Sequence, residues 1–404
     1  MPPQHTRIAL YSHDSMGLGH MRRNMLLAEE LASSPLQPSV LLISGSREIA
    51  RFGVTRGIDV VSLPSLYKDE SAQYHARWLD IPFRELVALR SSTILGALKS
   101  FDPDVFVVDN VPRGAGGELD AALEHMRRRG RTRCVLGLRD ILDDARDVRL
   151  EWGKAENFAA VRRNFDAIWV YGDKSVTDTA VEYDFPVEIA RRIRYTGFLD
   201  QRVRSAAATD PTASVSANAQ MVLCMLGGGQ DGLALAESFI AAELPAQFRK
   251  TLVTGPMMAS EQRDRLYDRA ATEDHLCIVE FLNDPAAAMR ASHSVITMGG
   301  YNTVCDVLSH GPRALIVPRV TPRTEQLIRA TRLADRGLLD MLHPAAATPA
   351  ALSTWICGHD RRTGRQAVRM HTTAGLHGLL DDAMALDPAV RLHPARALEV
   401  RHAS

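Results

Sequence analysis

Short apolar runs alternate with longer amphipathic stretches along most of this chain, and few folds accept that alternation: it is the pattern of βα units building a mainly parallel sheet. The runs Ile8 to Ser12, Val40 to Ser44, Val60 to Pro64, Val105 to Asp109, Cys134 to Leu138, Ile168 to Tyr171 and Ile193 to Gly197 predict seven strands in the first half. Between them Met21, Met25, Ala28 and Ala32 recur at helical spacing, as do apolar residues from Phe83 to Leu98. From Ser205 to Ala219 the sequence turns to Ala, Ser, Thr, Asp, Pro and Asn with almost no large apolar residue, which reads as an interdomain linker. The alternation then restarts with Met221 to Leu226, Thr251 to Thr254, Ile278 to Leu282, Ser294 to Met298 and Ala314 to Pro318. The expectation for 404 residues is therefore an α/β protein of two Rossmann-like, doubly wound domains, 1–204 and 220–380, joined by a linker at 205–219 and followed by a C-terminal tail at 381–404.

Charge removes several function classes. The 48 Lys and Arg balance the 48 Asp and Glu, so no global field draws the chain to nucleic acid or to an anionic membrane, and any anion site must be local. No apolar run approaches the roughly 18 residues of a membrane span, which leaves at most peripheral membrane contact. Ile8-Ala9-Leu10-Tyr11 gives way at once to polar residues and reads as a strand, not a signal peptide, so a cytoplasmic location is expected. Cys134, Cys224, Cys277, Cys305 and Cys357 are scattered, without a CxxC pair and among apolar residues, the pattern of buried reduced thiols.

The first strand runs into Ser12-His13-Asp14-Ser15-Met16-Gly17-Leu18-Gly19-His20, with a helix immediately after. Gly17 and Gly19 let the backbone turn sharply and approach a ligand, while the helix start offers free N–H groups and positive dipole. Glycine at such a turn also serves mere packing. His20, at the first turn of the helix and the carboxyl edge of the sheet, is a candidate general base; a capping or buried hydrogen-bonding role is the alternative. Asp14 either orients it or caps the loop. The spacing lacks the third glycine of a dinucleotide fingerprint, and the second strand closes as Ile43-Ser44-Gly45-Ser46 without an acidic residue, so NAD or FAD is not expected.

In the second half Leu226-Gly227-Gly228-Gly229-Gln230-Asp231-Gly232 precedes a helix from Leu233. Three consecutive glycines cost chain order unless something must come near the backbone, and a diphosphate is the usual reason. No GKS or GKT follows, so this is not an ATP-hydrolysing P-loop. A second small-residue turn, Gly299-Gly300-Tyr301-Asn302-Thr303, opens a helix that carries Asp306, placed either for ribose hydroxyls or as a solvated helix acid. Beyond the next strand stands a polar cluster of Arg319, Thr321, Arg323, Thr324, Glu325 and Gln326. Glu325 and Gln326 can meet sugar hydroxyls, or are ordinary helix-start residues.

Together these residues resemble the MurG-like branch of GT-B glycosyltransferases, and more closely a bacterial group with an SHDxxGxGHxRR start, over about Ile8 to Leu342. The resemblance implies the GT-B fold, two Rossmann-like domains facing across a cleft, the N-terminal one for the acceptor and the C-terminal one for a nucleotide-sugar donor. It assigns Gly17, Gly19, Arg22 and Arg23 to the acceptor loop. It assigns Gly227, Gly228, Gly229 and Gln230, then Gly299, Gly300, Asn302, Thr303, Asp306, Arg323, Glu325 and Gln326, to the donor. Glu280-Phe281-Leu282-Asn283-Asp284 is similar to the element that closes over the nucleotide base, so Phe281 and Leu282 join the donor set. Two departures matter: Asp306 stands where the family commonly has Glu, and Arg22-Arg23 replace an apolar residue and a proline, which argues against assuming a lipid acceptor.

The reaction so implied is an inverting transfer from a nucleoside diphosphate sugar, by analogy UDP-N-acetylglucosamine, to an acceptor hydroxyl. His20 is the candidate base and Asp14 its candidate partner, with no metal and no other cofactor. The acidic DxD, Asp102-Pro103-Asp104, reads as a helix-to-strand turn. Two rivals stand beside it: a UDP-sugar 2-epimerase or hydrolase, and a nucleotide-sugar binding protein without turnover.

Overall fold

The structure, a computed structural model, describes residues 6–14, 19–51, 55–69, 73–154, 156–202, 220–271, 273, 275–282, 285–358, 367–371 and 373–385. The chain divides into two compact units: Met1–Asp140, Ala145–Phe198 and Arg369–Ser404 form the first, and Ile141–Asp144 with Leu199–Val368 the second. The linker expected at 205–219 lies outside the described residues.

In the first unit the strands are β1 (Arg7–Ser12), β2 (Ser39–Ser44), β3 (Ile58–Ser62), a hairpin of β4 (Leu66–Lys68) and β5 (Tyr74–Ala76), then β6 (Val105–Asp109), β7 (Arg133–Arg139), β8 (Ala167–Tyr171) and β9 (Ile193–Tyr195). All but the hairpin form one parallel sheet in the order β3-β2-β1-β6-β7-β8-β9. Its middle strands are buried along their whole length, as apolar runs covered by helices on both faces must be. The order reverses between β1 and β6, so the loops after these two strands part to opposite faces and leave a crevice at their carboxyl ends. Tyr11 pairs with Val108, which sets Asp109 level with Ser12 at the mouth of that crevice. The helix Phe83–Phe101 stops where Asp102 turns left-handed, φ +48°, its N–H returning to the Leu98 carbonyl; Asp102-Pro103-Asp104 is thus a helix-to-strand turn.

A buried ionic cluster fixes the turn after β1. Glu118 takes the Tyr11 hydroxyl and the Arg90 guanidinium, and Arg90 also donates to the carbonyls of Pro64 at 2.6 Å and His13 at 3.3 Å. The His13 carbonyl lies so near Gly45 that a Cβ there would sit 2.0 Å from it, so the end of β2 must be glycine for the two turns to touch.

The second unit repeats the design with β10 (Gln220–Met225), β11 (Phe248–Val253), β12 (Leu276–Val279), β13 (Ser294–Thr297), β14 (Ala314–Ile316) and β15 (Asp340–Met341). All are parallel in the order β12-β11-β10-β13-β14-β15, and the reversal falls between β10 and β13. Met225 pairs with Thr297, so the two glycine-rich turns leave the sheet side by side.

The chain re-enters the first unit at Arg369, ahead of the boundary expected at 380. The Phe198 carbonyl accepts the His371 N–H at 2.6 Å, His371 Nε2 meets Glu30 at 2.8 Å, and a helix, Thr373–Ala385, packs on the helix Gly19–Ala32 and on β7. Leu376, Leu380 and Ala383 are buried there, so residues 381–385 belong to an ordered helix, while 386–404 lie outside the described residues. Helical spacing reveals that a helix buries a face; it does not say against which body. Two cysteines also depart from expectation. Cys134, Cys224 and Cys305 are buried, but Cys277, on the outer face of the edge strand β12, and Cys357, at a helix end, are exposed; all five are free thiols.

Candidate functional site

In the first unit the helix Gly19–Ala32 begins where β1 has just ended, with Gly19 as its first residue; Ser15 to Leu18, and so Gly17, lie outside the described residues. His20 projects from its first turn. Its Nδ1 meets Asp109 Oδ2 at 2.5 Å, its side chain is 17% exposed, and Nε2 has no partner among the described residues. Asp109 is wholly buried at the end of β6, and Arg23, one turn beyond His20, grips it: Nε donates to Oδ1 at 2.9 Å, and Nη2 reaches both oxygens at 2.6 Å.

This arrangement changes two expectations. Asp14, offered either to orient His20 or to cap the loop, does not touch His20. Its Oδ2 accepts the Ser12 and Ser44 hydroxyls at 2.5 and 2.7 Å, and its φ of +44° makes it a turn-forming residue. Asp109, 89 residues beyond His20, takes the place given to Asp14. Arg23, assigned to the acceptor loop, is 2% exposed and engaged inward, whereas Arg22 is half-buried with no ion pair among the described residues. The signal for Asp109 was present in the sequence: a lone carboxylate closing the apolar run Val-Phe-Val-Val needs a buried partner.

Burial alone would push the Asp109 carboxyl up, yet Arg23 and His20 outweigh it and hold it down, at about 2. His13 stands beside His20 with ring centroids 5.1 Å apart; burial first, then the His20 charge, push it well below the ordinary imidazole range and keep it neutral. A carboxyl whose folded value lies below its unfolded one contributes stability that is complete above the ordinary carboxylate range and disappears as pH falls toward 2. Urea unfolding between pH 6 and pH 2 should therefore cost the wild type on the order of 2 kcal/mol more than Asp109→Asn. Parallel losses in the two proteins would remove Asp109 from the acid response.

In the second unit, Gly227 and Gly229 take φ of +64° and +95°. A Cβ on Gly229 would lie 2.4 Å from the Thr254 carbonyl, one on Gly232 2.7 Å from Leu226 Cβ, and one on Gly255 2.4 Å from the Gly227 carbonyl. Backbone packing against the turn after β11 thus accounts for Gly229, and the side chain of Leu226 for Gly232. Gly228 is different: it is exposed, and the nearest atom to its missing Cβ is Met257 Sδ at 3.9 Å. Gln230 is exposed beside it.

The turn after β13 presents an open helix start. Gly300 caps the helix Tyr301–His310, offers no side-chain acceptor of its own and has open space around its missing Cβ. Asn302 and Thr303 are half-buried on its first turn, and Asp306 is 5% exposed, which excludes the solvated acid. Gly299 packs on Gln326, with a Cβ 3.1 Å from its carbonyl.

Several expected donor residues already hold protein partners. Gln326 Oε1 accepts the Arg319 N–H at 3.1 Å, and Glu325 pairs with Arg319 Nη2 at 2.8 Å. Arg319 Nη1 reaches Asp231 at 3.1 Å and so ties the glycine turn to the loop after β14. Arg323 pairs with Asp143 at 3.1 Å, and Asp143 also accepts the Thr324 N–H at 2.8 Å, which caps the helix Glu325–Ala334. Leu282 lies in the core with Leu223, Met225, Val253, Met289 and Val295, so it supports the turn rather than meeting a ligand, while Phe281 is 50% exposed. Sequence reasoning missed Asp109, Asp143 and the bridging role of Arg319; Asp109 left the signal just named, whereas Asp143 and Arg319 show theirs only once distant loops are brought together.

Residues 222–371 match the glycosyltransferase family 28 C-terminal domain. A search of curated proteins by sequence found no match. Among solved structures, the glycotransferase of kitacinnamycin is similar with a TM-score of 0.60 and 16% identity, over 96% of this chain and 98% of that one. MurG from Acinetobacter baumannii gives 0.51 and 15%, over 98% and 99%. A Listeria monocytogenes protein assigned as a UDP-N-acetylglucosamine 2-epimerase gives 0.61 and 11%, over 93% and 95%. At such identities likeness speaks for fold: the chain has the GT-B fold, two parallel-sheet α/β units, and no helix among its described residues is long and apolar enough to cross a membrane.

Proposed function

We propose that this protein is an inverting glycosyltransferase of the cytoplasm that moves a sugar from a nucleoside diphosphate donor, in the first instance UDP-N-acetylglucosamine, to an acceptor hydroxyl. The observation that carries the proposal is the pairing of His20 with Asp109. A carboxylate on Nδ1 fixes the tautomer and leaves Nε2 with its lone pair, the form a general base needs. The acceptor oxygen attacks the anomeric carbon as its proton passes to His20 Nε2. The bond from that carbon to the diphosphate breaks, and its electrons leave with the nucleoside diphosphate. The growing charge is met in the second unit by the positive end of the helix Tyr301–His310, with Gly228 beside it, which offsets it without a metal. Asp306 is offered to the ribose, and Glu325 to the sugar through rearrangement of its pair with Arg319.

A second reading, UDP-sugar 2-epimerase, is favoured by likeness to the Listeria protein. Thermal melts with UDP, other nucleoside diphosphates and UDP-sugars test the donor: a ligand at 100 times its Kd adds about 2.7 kcal/mol to the state that binds it. UDP should raise the transition most among the diphosphates. No stabilisation by any of them removes the nucleotide from the proposal, and a sugar epimerised in the absence of acceptor selects the second reading.

A further inference from the structure

The Arg23 guanidinium makes more contacts with Asp109 than His20 does, and its position is informative. Nη2 also stands 2.9 Å from His20 Nδ1, yet a Nδ1 whose proton is directed at Asp109 cannot accept a second one. Nη2 therefore acts on the ring as a charge rather than as a donor. The imidazole feels two opposed influences through one atom: the carboxylate favours its protonated form and the guanidinium disfavours it. The other groups facing this site are His13, held neutral, and the Tyr171 ring of β8, whose centroid lies 5.6 Å from Arg23 Cζ and backs the cation. His20 and Arg23 share one helix face, three residues apart, so base and cation move together.

We propose, resting on the assignment of His20 as base, that Arg23 is the positioning residue of this site: it locks the Asp109 carboxylate toward Nδ1 and takes up most of its charge, so that His20 receives orientation without the carboxylate's full pull. The two functions call for different properties of the side chain. Orientation needs the planar fork, which lysine lacks; charge division needs only a cation.

Histidine NMR on the full chain labelled with 15N separates them without any substrate, with the His20 signals assigned by their loss in His20→Ala. In the wild type the neutral ring carries its proton on Nδ1. Arg23→Met should raise the pH at which His20 is half protonated by about one unit, a tenfold stronger hold on the proton. Arg23→Lys should leave that pH in place and lower the share of the Nδ1–H tautomer. Folded Arg23→Met with an unmoved titration overturns the proposal. Should that variant not fold, an unchanged tautomer in Arg23→Lys overturns it instead. Loss or survival of turnover in His20→Ala bears separately on the base assignment.

Discussion

Replacing His20 with alanine should lower turnover by about 10²- to 10⁴-fold, the usual worth of a positioned general base, while UDP binding persists. The two halves of this expectation have separate origins. The imidazole stands in the first unit with Nδ1 committed to Asp109, so its removal deletes the ring nitrogen, Nε2, offered to a proton at the mouth of the β1/β6 crevice. The groups offered to the diphosphate belong to the second unit, chiefly the start of the helix Tyr301–His310 behind Gly300, and are untouched by the change. Turnover of the best UDP-sugar found by thermal melts, measured as UDP release, together with UDP titration, reads both halves. Wild-type turnover in His20→Ala excludes the imidazole from the chemistry, and loss of UDP binding alongside turnover means the substitution damaged more than the base. Asp109→Asn should also lose activity while retaining the shape of the site, whereas Asp14→Asn should cost less, because Asp14 meets Ser12 and Ser44 rather than the base.

The contrast between these two aspartates shows what the sequence could and could not convey. The strand runs were legible because period and composition act locally: each central strand expected from an apolar run is present, with shifts of up to three residues at its ends. The loops that bear chemistry were legible for a related reason, since glycine and a helix start leave a local mark. Partners were not. Asp14 is near His20 in sequence and was chosen on that ground, but side chains meet by topology, and the reversal of strand order brings the end of β6 beside the end of β1. Arg23, expected in the acceptor loop, turns inward instead; only a buried carboxylate from another strand explains an arginine 2% exposed. Arg319 and Asp143 follow the same rule, each joining loops that lie far apart along the chain. The edge elements were missed for want of signal: β15 is two residues long, and β4 and β5 three each.

The glycines of the second unit carry the other large effect, and they divide where the sequence made them look alike. Gly229→Ala puts a methyl group 2.4 Å from the Thr254 carbonyl at a φ of +95°, a clash with backbone that no rotamer relieves. It should destabilise the second unit by about 3 kcal/mol or more, combining strain with displacement of the turn after β11. Gly255→Ala, 2.4 Å from the Gly227 carbonyl, should behave alike from the opposite side of the same contact. Gly228→Ala meets only Met257 Sδ at 3.9 Å, so urea unfolding should place it within about 0.5 kcal/mol of the wild type. Ligand binding is where Gly228 shows its use. If the diphosphate comes as near to that backbone as the open surface allows, the added methyl occupies its path and the Kd for UDP should rise about tenfold or more in a protein of unchanged stability. Gly229 then owes its identity to backbone packing and Gly228 to the ligand. Undiminished UDP affinity in Gly228→Ala would take the glycine run out of the diphosphate site, and leave the helix start behind Gly300 as the remaining place for the phosphates.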